Sequence, residues 1–270
     1  MNTTRATAVA GTFYPGSPGQ LARVLDELLE DAPRPGAPGP KALIAPHAGY
    51  IYSGSIAARA YAALAAQRDT IRRVVLLGPV HRVPVRGLAA PGSGVNAFAT
   101  PLGEIPLDRE AIEKLRMLPQ VVASDAAHAM EHSLEVQLPF LQKVLARFSL
   151  VPLAVGDATA EEVAEVLDTL WGGVETLIVV SSDLSHYLDY ATARRTDEQT
   201  ATRIVALDPG ITHEEACGGT PINGLLLAAQ RHGLSAELLD LRNSGDTAGP
   251  RDRVVGYGAF AFRETRDASR

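Results

Sequence analysis

Apolar residues recur along this chain in two alternating rhythms. Between Ser17 and Glu30, Leu21, Val24, Leu25, Leu28 and Leu29 fall at the three- and four-residue spacing of one helix face. Ser17 caps that helix and Pro18 stands in its first turn, where a missing N–H removes no hydrogen bond. Helical patterns follow over Ser53–Ala66, Asp108–Leu118, His132–Phe148, Thr159–Leu170, Tyr190–Leu207 and Pro221–Arg231. Pro139 predicts a kink or break in the fourth of these seven. Thr159 and Glu162 make a capping-box pair. Thr220 is read as an N-cap with Pro221 as first helical residue, and Gly233 ends that helix. Between the helices lie short apolar runs: Lys41–Ala45, Arg73–Leu77, Leu150–Val155, Thr176–Val180, Ala236–Leu241 and Val254–Phe262. Runs without alternation suit strands buried on both faces. Four prolines and two glycines within Ala32–Pro40 predict an extended connector. Pro84–Gly103 reads as loops with short strands, and Arg263–Arg270 as a charged, frayed tail. Strand alternating with helix predicts one α/β domain over residues 1–270, an α/β/α sandwich around a largely parallel sheet.

Composition narrows the function more than the fold. The 270 residues are 46% hydrophobic and 21% charged, enough for a large core without disulfide staples. A net charge of −6 argues against a nucleic-acid binder, whose footprint is basic. No uncharged apolar stretch reaches 18 residues, so no membrane span is expected. Met1–Ala6 lacks the apolar core of a secretory signal, so a cytoplasmic location is expected. The one cysteine, Cys217, suits a reducing compartment.

Candidate chemistry gathers where strands end. In open α/β sheets, ligands bind beyond the carboxyl edges of the strands. The run ending at Ala45 leads to His47, the run ending at Leu77 to His81, and the run ending at Val180 to Asp183 and His186. His132 opens a helix. Histidine is the commonest metal ligand and a frequent general base. Each has a structural alternative: His47 and His81 satisfying a carbonyl at a turn, or Asp183 and His186 capping a helix. His128, His213 and His232 show no such placement and read as surface residues. Cys217 stands just before a helix start, where a thiolate is stabilised. One thiolate with two imidazoles makes a metal site with open positions, and the soft ligand makes zinc and copper more competitive with iron. Phosphate-loop, nucleophile-elbow, Cys-x-x-Cys and His-Glu-x-x-His motifs are absent. Ser53 and Ser185 lie near histidines, but without an elbow they make a weak case for a hydrolase.

Taken in order, several segments resemble the MEMO family, whose prokaryotic members are called AmmeMemoRadiSam system protein B. They are Ala10–Pro15, Pro46–Gly54, Leu77–His81, Thr100–Gly103, Glu131–Leu141, Ser181–Tyr187, Cys217-Gly218, Asn243–Asp246 and Val254–Tyr257. The resemblance covers nearly the whole chain. It implies the fold of class III extradiol (LigB-like) dioxygenases. It also implies metal ligands His47, His81 and Cys217, an acid/base pair His186 and Asp183, and His132 lining the pocket. Val80, Gly219 and Leu241-Arg242 depart from the family pattern, which bears on the pocket wall rather than the metal set. The implied cofactor is Fe(II), with copper or zinc as competitors. The implied partners are a small aromatic substrate and dioxygen, with AMMECR-domain and radical SAM proteins as family partners. Two functions follow: a non-haem iron dioxygenase acting on a catechol-like substrate, or a non-catalytic iron- or copper-binding redox or regulatory protein.

Overall fold

The computed structural model describes residues 3–33 and 39–265. The chain forms β1 (Thr3–Arg5), α1 (Pro18–Glu30), β2 (Ala42–Ala45), α2 (Tyr50–Ala62), β3 (Arg73–Pro79), β4 (Leu88–Ala90), β5 (Val95–Thr100) and β6 (Gly103–Pro106). There follow α3 (Arg109–Leu115), β7 (Val121–Ala123), α4 (Asp125–Ala129), α5 (His132–Glu135), α6 (Leu138–Val144), β8 (Ser149–Val155) and α7 (Ala160–Leu170). The last third holds β9 (Thr176–Ser181), β10 (His186–Leu188), α8 (Tyr190–Val205), α9 (Gly219–Arg231), β11 (Leu234–Asn243) and β12 (Val254–Glu264).

Nine strands make one mixed sheet in the order β10-β12-β2-β9-β3-β8-β4-β7, with β11 on β12. Its centre, β2-β9-β3-β8, is parallel, as the unbroken apolar runs require. The flanks are mixed: β12 runs antiparallel to β2, β10 and β11, and β4 runs antiparallel to β8 but parallel to β7. Every residue of β2 and β9 is buried, so the central strands hold the core. A second, three-stranded sheet joins β1, β5 and β6. Its strand β1 was silent in the apolar pattern. Arg5 is held there by a buried ion pair to Glu135, and its guanidinium also donates to the Glu131 carbonyl at 2.8 Å.

Several helix limits differ from those the sequence predicts. The first helix starts at Pro18 behind Ser17, although the Ser17 side chain makes no cap bond. The second begins at Tyr50 rather than Ser53, because Gly49 opens it, and it gives way to a 3-10 turn at Ala65–Gln67. Thr159 and Glu162 close the capping box at 3.1 and 2.7 Å, a feature worth about 1 kcal/mol. The helix at Pro221 starts two residues earlier, capped by Gly218 and not Thr220. The Thr220 hydroxyl lies 3.3 Å from His213 Nε2 instead. Strand β12 carries the start of the expected tail, as far as Glu264. The rest of that tail, 266–270, and the heart of the connector, 34–38, lie outside the described residues.

Pro139 breaks the helical run as expected. The chain divides into α5 and α6, with Pro139 in the first turn of α6. The break turns the buried side chain of Gln137 toward the carboxyl edge of the sheet, where the site lies.

Candidate metal centre

The parallel order β2-β9-β3 brings three strand ends to one edge. His47 follows β2, Asp183 follows β9 and His81 follows β3. His132 arrives from the first turn of α5, which packs on β3. A Cβ at Gly78 would lie 2.8 Å from Ser133 Oγ, so glycine at this point lets α5 approach. The Ser133 hydroxyl donates to the Pro79 carbonyl at 2.8 Å and fastens the contact.

His47, His81 and His132 each offer a ligand atom, and these atoms all lie within 4.8 Å of one another. The rings of His47 and His81 stand 5.3 Å apart and nearly perpendicular, and those of His81 and His132 stand 4.4 Å apart. All three line a cleft of about 850 Å³, together with Asp183, His186 and Cys217. All six candidates expected for the metal set, the acid/base pair and the pocket therefore reach one cavity. The compact triad is three imidazoles, whereas the ligand set expected from the resemblance pairs His47 and His81 with the thiol. Cys217 stands alongside, with its Sγ 3.4 Å from His47 Nε2.

Hydrogen bonds fix the ring orientations. The Ser181 hydroxyl donates to the Ser133 carbonyl at 2.6 Å, so its oxygen is left to accept. It accepts from His47 Nδ1 at 2.9 Å and from Gln137 Nε2 at 2.7 Å. Proton on Nδ1 means a lone pair on Nε2, and Nε2 is the atom that meets Cys217. Gln137 is held in turn by the Tyr61 hydroxyl at 2.7 Å and by donation to the Pro46 carbonyl at 3.0 Å. The sequence reading missed Gln137 and Ser181. The available signal was a lone amide in the apolar run Val136–Leu141, two residues before a breaking proline.

Glu131 performs the same service for His81. Its Oε1 lies 2.8 Å from His81 Nδ1 and accepts from the Ser133 amide at 2.9 Å, while Oε2 accepts from the His81 amide at 2.6 Å. Burial would raise the Glu131 carboxyl, but these donors outweigh it and hold its pKa at about 2. An ionised carboxylate only accepts, so His81 Nδ1 must carry the proton and Nε2 the lone pair. Such carboxylate–histidine pairs are how proteins orient metal-binding imidazoles.

The remaining groups are tuned by burial. His47 is 2% exposed. Burial first, then the neighbouring His132, His81 and His186, hold its pKa well below the usual histidine range. Burial and His81 lower His132 to about 4. His186 is also lowered, chiefly by burial. These imidazoles are neutral at pH 7, as metal ligands and bases must be. Asp183 is pushed up to about 7 by burial, against the pull of the His47 and Ala48 amides at 2.7 and 3.3 Å. Cys217 is pushed up to about 12 by burial and by Asp183. The thiolate expected at this helix start does not form unaided, because burial and a neighbouring acid outweigh the few amide dipoles.

Of the three histidines read as surface residues, His213 and His232 are exposed and His128 is not. His128, read as a surface residue, is buried, with Nε2 3.0 Å from the Ala89 carbonyl. His213 is exposed but lines the outer part of the cleft with Glu214 and Glu215. His232 stacks on Trp171 at 3.7 Å. Asp183 caps no helix: His186 begins the short edge strand β10. The Ser53 hydroxyl is spent on the Ala48 carbonyl at 3.0 Å, which removes it as a nucleophile. No helix among the described residues is long and apolar enough to cross a membrane.

With this geometry in place, the chain can be set beside known proteins. A family model described as Memo-like protein matches residues 5–261. A MEMO1 family protein of Methanopyrus kandleri is 37% identical over 282 residues, covering 96% of this chain and 99% of that one. Another from Aquifex aeolicus is 37% identical over 273 residues, covering 96% and 98%. A third, from Methanosarcina acetivorans, is 39% identical over 277 residues, covering 95% and 98%. Among solved structures, an uncharacterized protein of Escherichia coli K12 superposes with a TM-score of 0.50 at 15% identity, covering 80% of this chain and 98% of that one. That likeness concerns the fold alone. The matches over nearly the full length, at more than a third identity, place the chain in the Memo-like protein family.

Proposed function

We propose that the cleft is a non-haem iron centre in which His47, His81 and Cys217 hold Fe(II) with His132 beside them. On this reading the protein oxidises a small catechol-like aromatic substrate with dioxygen. The observation that carries it is the inward aim of the imidazoles: Ser181 and Glu131 take the Nδ1 protons and leave Nε2 lone pairs facing the cleft. The donor set fits an ion. His132 Nδ1 is buried without a hydrogen-bond partner, although Glu131 Oε1 lies 3.3 Å away. A tetrahedral ion with ordinary Zn–N and Zn–S lengths sets nitrogen and sulfur about 3.6 Å apart. The His47–Cys217 separation of 3.4 Å is close to that. A cation would also bring down the thiol that burial holds up.

A bound iron supplies a Lewis acid for adjacent substrate oxygens and activation of dioxygen. The chain supplies the rest. His186, neutral at pH 7, takes a hydroxyl proton from the substrate at its ring. Asp183, pushed up to about 7 by burial, holds a proton on its carboxyl for return. His132 orients the substrate against the wall formed by α5.

The test is metal analysis of protein purified without chelators, followed by dioxygen uptake and ring-cleavage absorbance with a panel of catechols after anaerobic iron loading. One equivalent of iron and turnover of at least one catechol are expected. Loaded protein that consumes no dioxygen with any of them overturns the dioxygenase reading. Cys217 also favours a second reading, a non-catalytic copper or iron protein, because a thiol beside an imidazole suits Cu(I). Tight Cu(I) binding that is lost in Cys217→Ser, with no turnover of any substrate, supports that alternative.

A further inference from the structure

Among the described residues, two that are not glycine adopt the left-handed backbone conformation, Tyr187 at φ 61° and Leu207 at φ 56°. Leu207 is explained by its place. It follows the C-cap Ala206 of α8, where a left-handed residue commonly closes a helix, and its side chain packs on the core. Tyr187 has neither reason. It is the extra residue of a bulge in β10, between His186 paired with Val255 and Leu188 paired with Val254. The residue is 64% exposed, so no core packing compensates for the conformation. Glycine or asparagine would serve that backbone better than a bulky side chain. What the conformation achieves is placement. The ring stands at the mouth of the cleft, 5.7 Å from the His186 ring, with the Arg253 guanidinium 5.1 Å from its centroid.

We propose that Tyr187 is a specificity-determining residue: its ring is the platform on which the planar ring of an aromatic substrate stacks while the substrate's polar end reaches the imidazoles. This rests on the reading of the cleft as a metal centre for aromatic substrates, and it adds the residue that selects for planarity. A backbone outlier held at the edge of a site, its exposed ring met by the Arg253 guanidinium and the His186 edge rather than by the core, is the pattern expected when geometry is kept for binding. The contact selects by shape and π-face, so it favours flat rings over aliphatic chelators of the same donor atoms.

The test uses full-length protein loaded anaerobically with Fe(II), with 4-nitrocatechol as planar probe and acetohydroxamate as ring-free chelator. In Tyr187→Gly, the dissociation constant for 4-nitrocatechol is expected to rise roughly three- to tenfold, the size of a stacking contact. Acetohydroxamate binding is expected to stay within twofold, as is 4-nitrocatechol binding to Tyr187→Phe. The melting temperature of Tyr187→Gly should equal or exceed that of wild type, because glycine relieves the backbone. Unchanged 4-nitrocatechol binding in Tyr187→Gly, or equal loss of both probes, overturns the platform alone. A clear fall in melting temperature overturns it too, by making Tyr187 a structural residue. Wild-type protein that binds acetohydroxamate but not 4-nitrocatechol overturns the aromatic-substrate reading, and the platform with it.

Discussion

The cleft has two walls built on opposite terms. One carries His47, His81 and His132 on strand ends and on α5, each approach fixed by buried partners: Ser181 and Gln137 behind His47, Glu131 behind His81, Ser133 on Pro79. The other carries His186 and Tyr187 on a three-residue edge strand with a bulge and a left-handed residue. The first wall is over-determined and the second is adjustable. The difference teaches how the site divides its labour. An ion needs donors held to a few tenths of an ångström, which buried hydrogen bonds supply. On the proposed reading, substrate choice needs a surface that can vary without disturbing those donors, and a short edge strand would supply that.

The comparison can be broken most decisively at the rigid wall. His47→Ala and His81→Ala should each reduce bound metal from one equivalent to almost none by elemental analysis. Retention of a full equivalent in either would mean that the histidine removed does not hold the ion. Glu131→Gln should be next, weakening metal affinity about 10- to 100-fold in competition titrations, the usual cost of removing an orienting carboxylate. Gly78→Ala should destabilise the fold by about 1–3 kcal/mol in denaturant unfolding, because the new Cβ meets Ser133 and pushes α5 away. It should also lower metal affinity, since a shift of Ser133 disturbs Glu131, which accepts from the Ser133 amide and orients His81.

A fourth prediction concerns pH. Burial lowers His128 to about 4 from an ordinary value of 6.5. In that window the unfolded chain binds the proton and the folded one does not, so stability rises with pH. The stability is fully present above about pH 6.5 and is lost as pH falls toward 4. The slope of unfolding free energy against pH between those values should be shallower in His128→Gln. The smallest effect belongs to the adjustable wall: His186→Ala should leave metal affinity within about twofold of wild type. A larger loss would place His186 among the ion's ligands and erase the division between the walls.

Much of this was legible along the chain. Unbroken apolar runs marked β2, β3, β8 and β9 because a parallel strand buried on both faces admits no polar alternation. The capping box at Thr159 and the break at Pro139 are local chemistry, and local chemistry is written locally. The antiparallel flank of the sheet was not legible, because strand direction depends on which partner a strand meets. β1 and β10 were missed because three residues carry no period. His128 looked like a surface residue because nothing in its neighbours in sequence reveals that Phe98 and the Ala89 carbonyl enclose it.

The sequence by itself determined the inventory: which residues end strands, that one thiol precedes a helix, and that six groups of the right chemistry exist. Tertiary structure alone decided their roles. It placed Ser181 and Gln137 behind His47, and so chose which nitrogen faces the cleft. It made three imidazoles, and not two with the thiol, the tightest group. It half-buried Cys217 beside Asp183 and so turned an expected thiolate into a thiol pushed up to about 12. Those outcomes turn on distances of a few ångströms between residues up to 170 positions apart, as for Cys217 and His47, and only the packed sheet sets them.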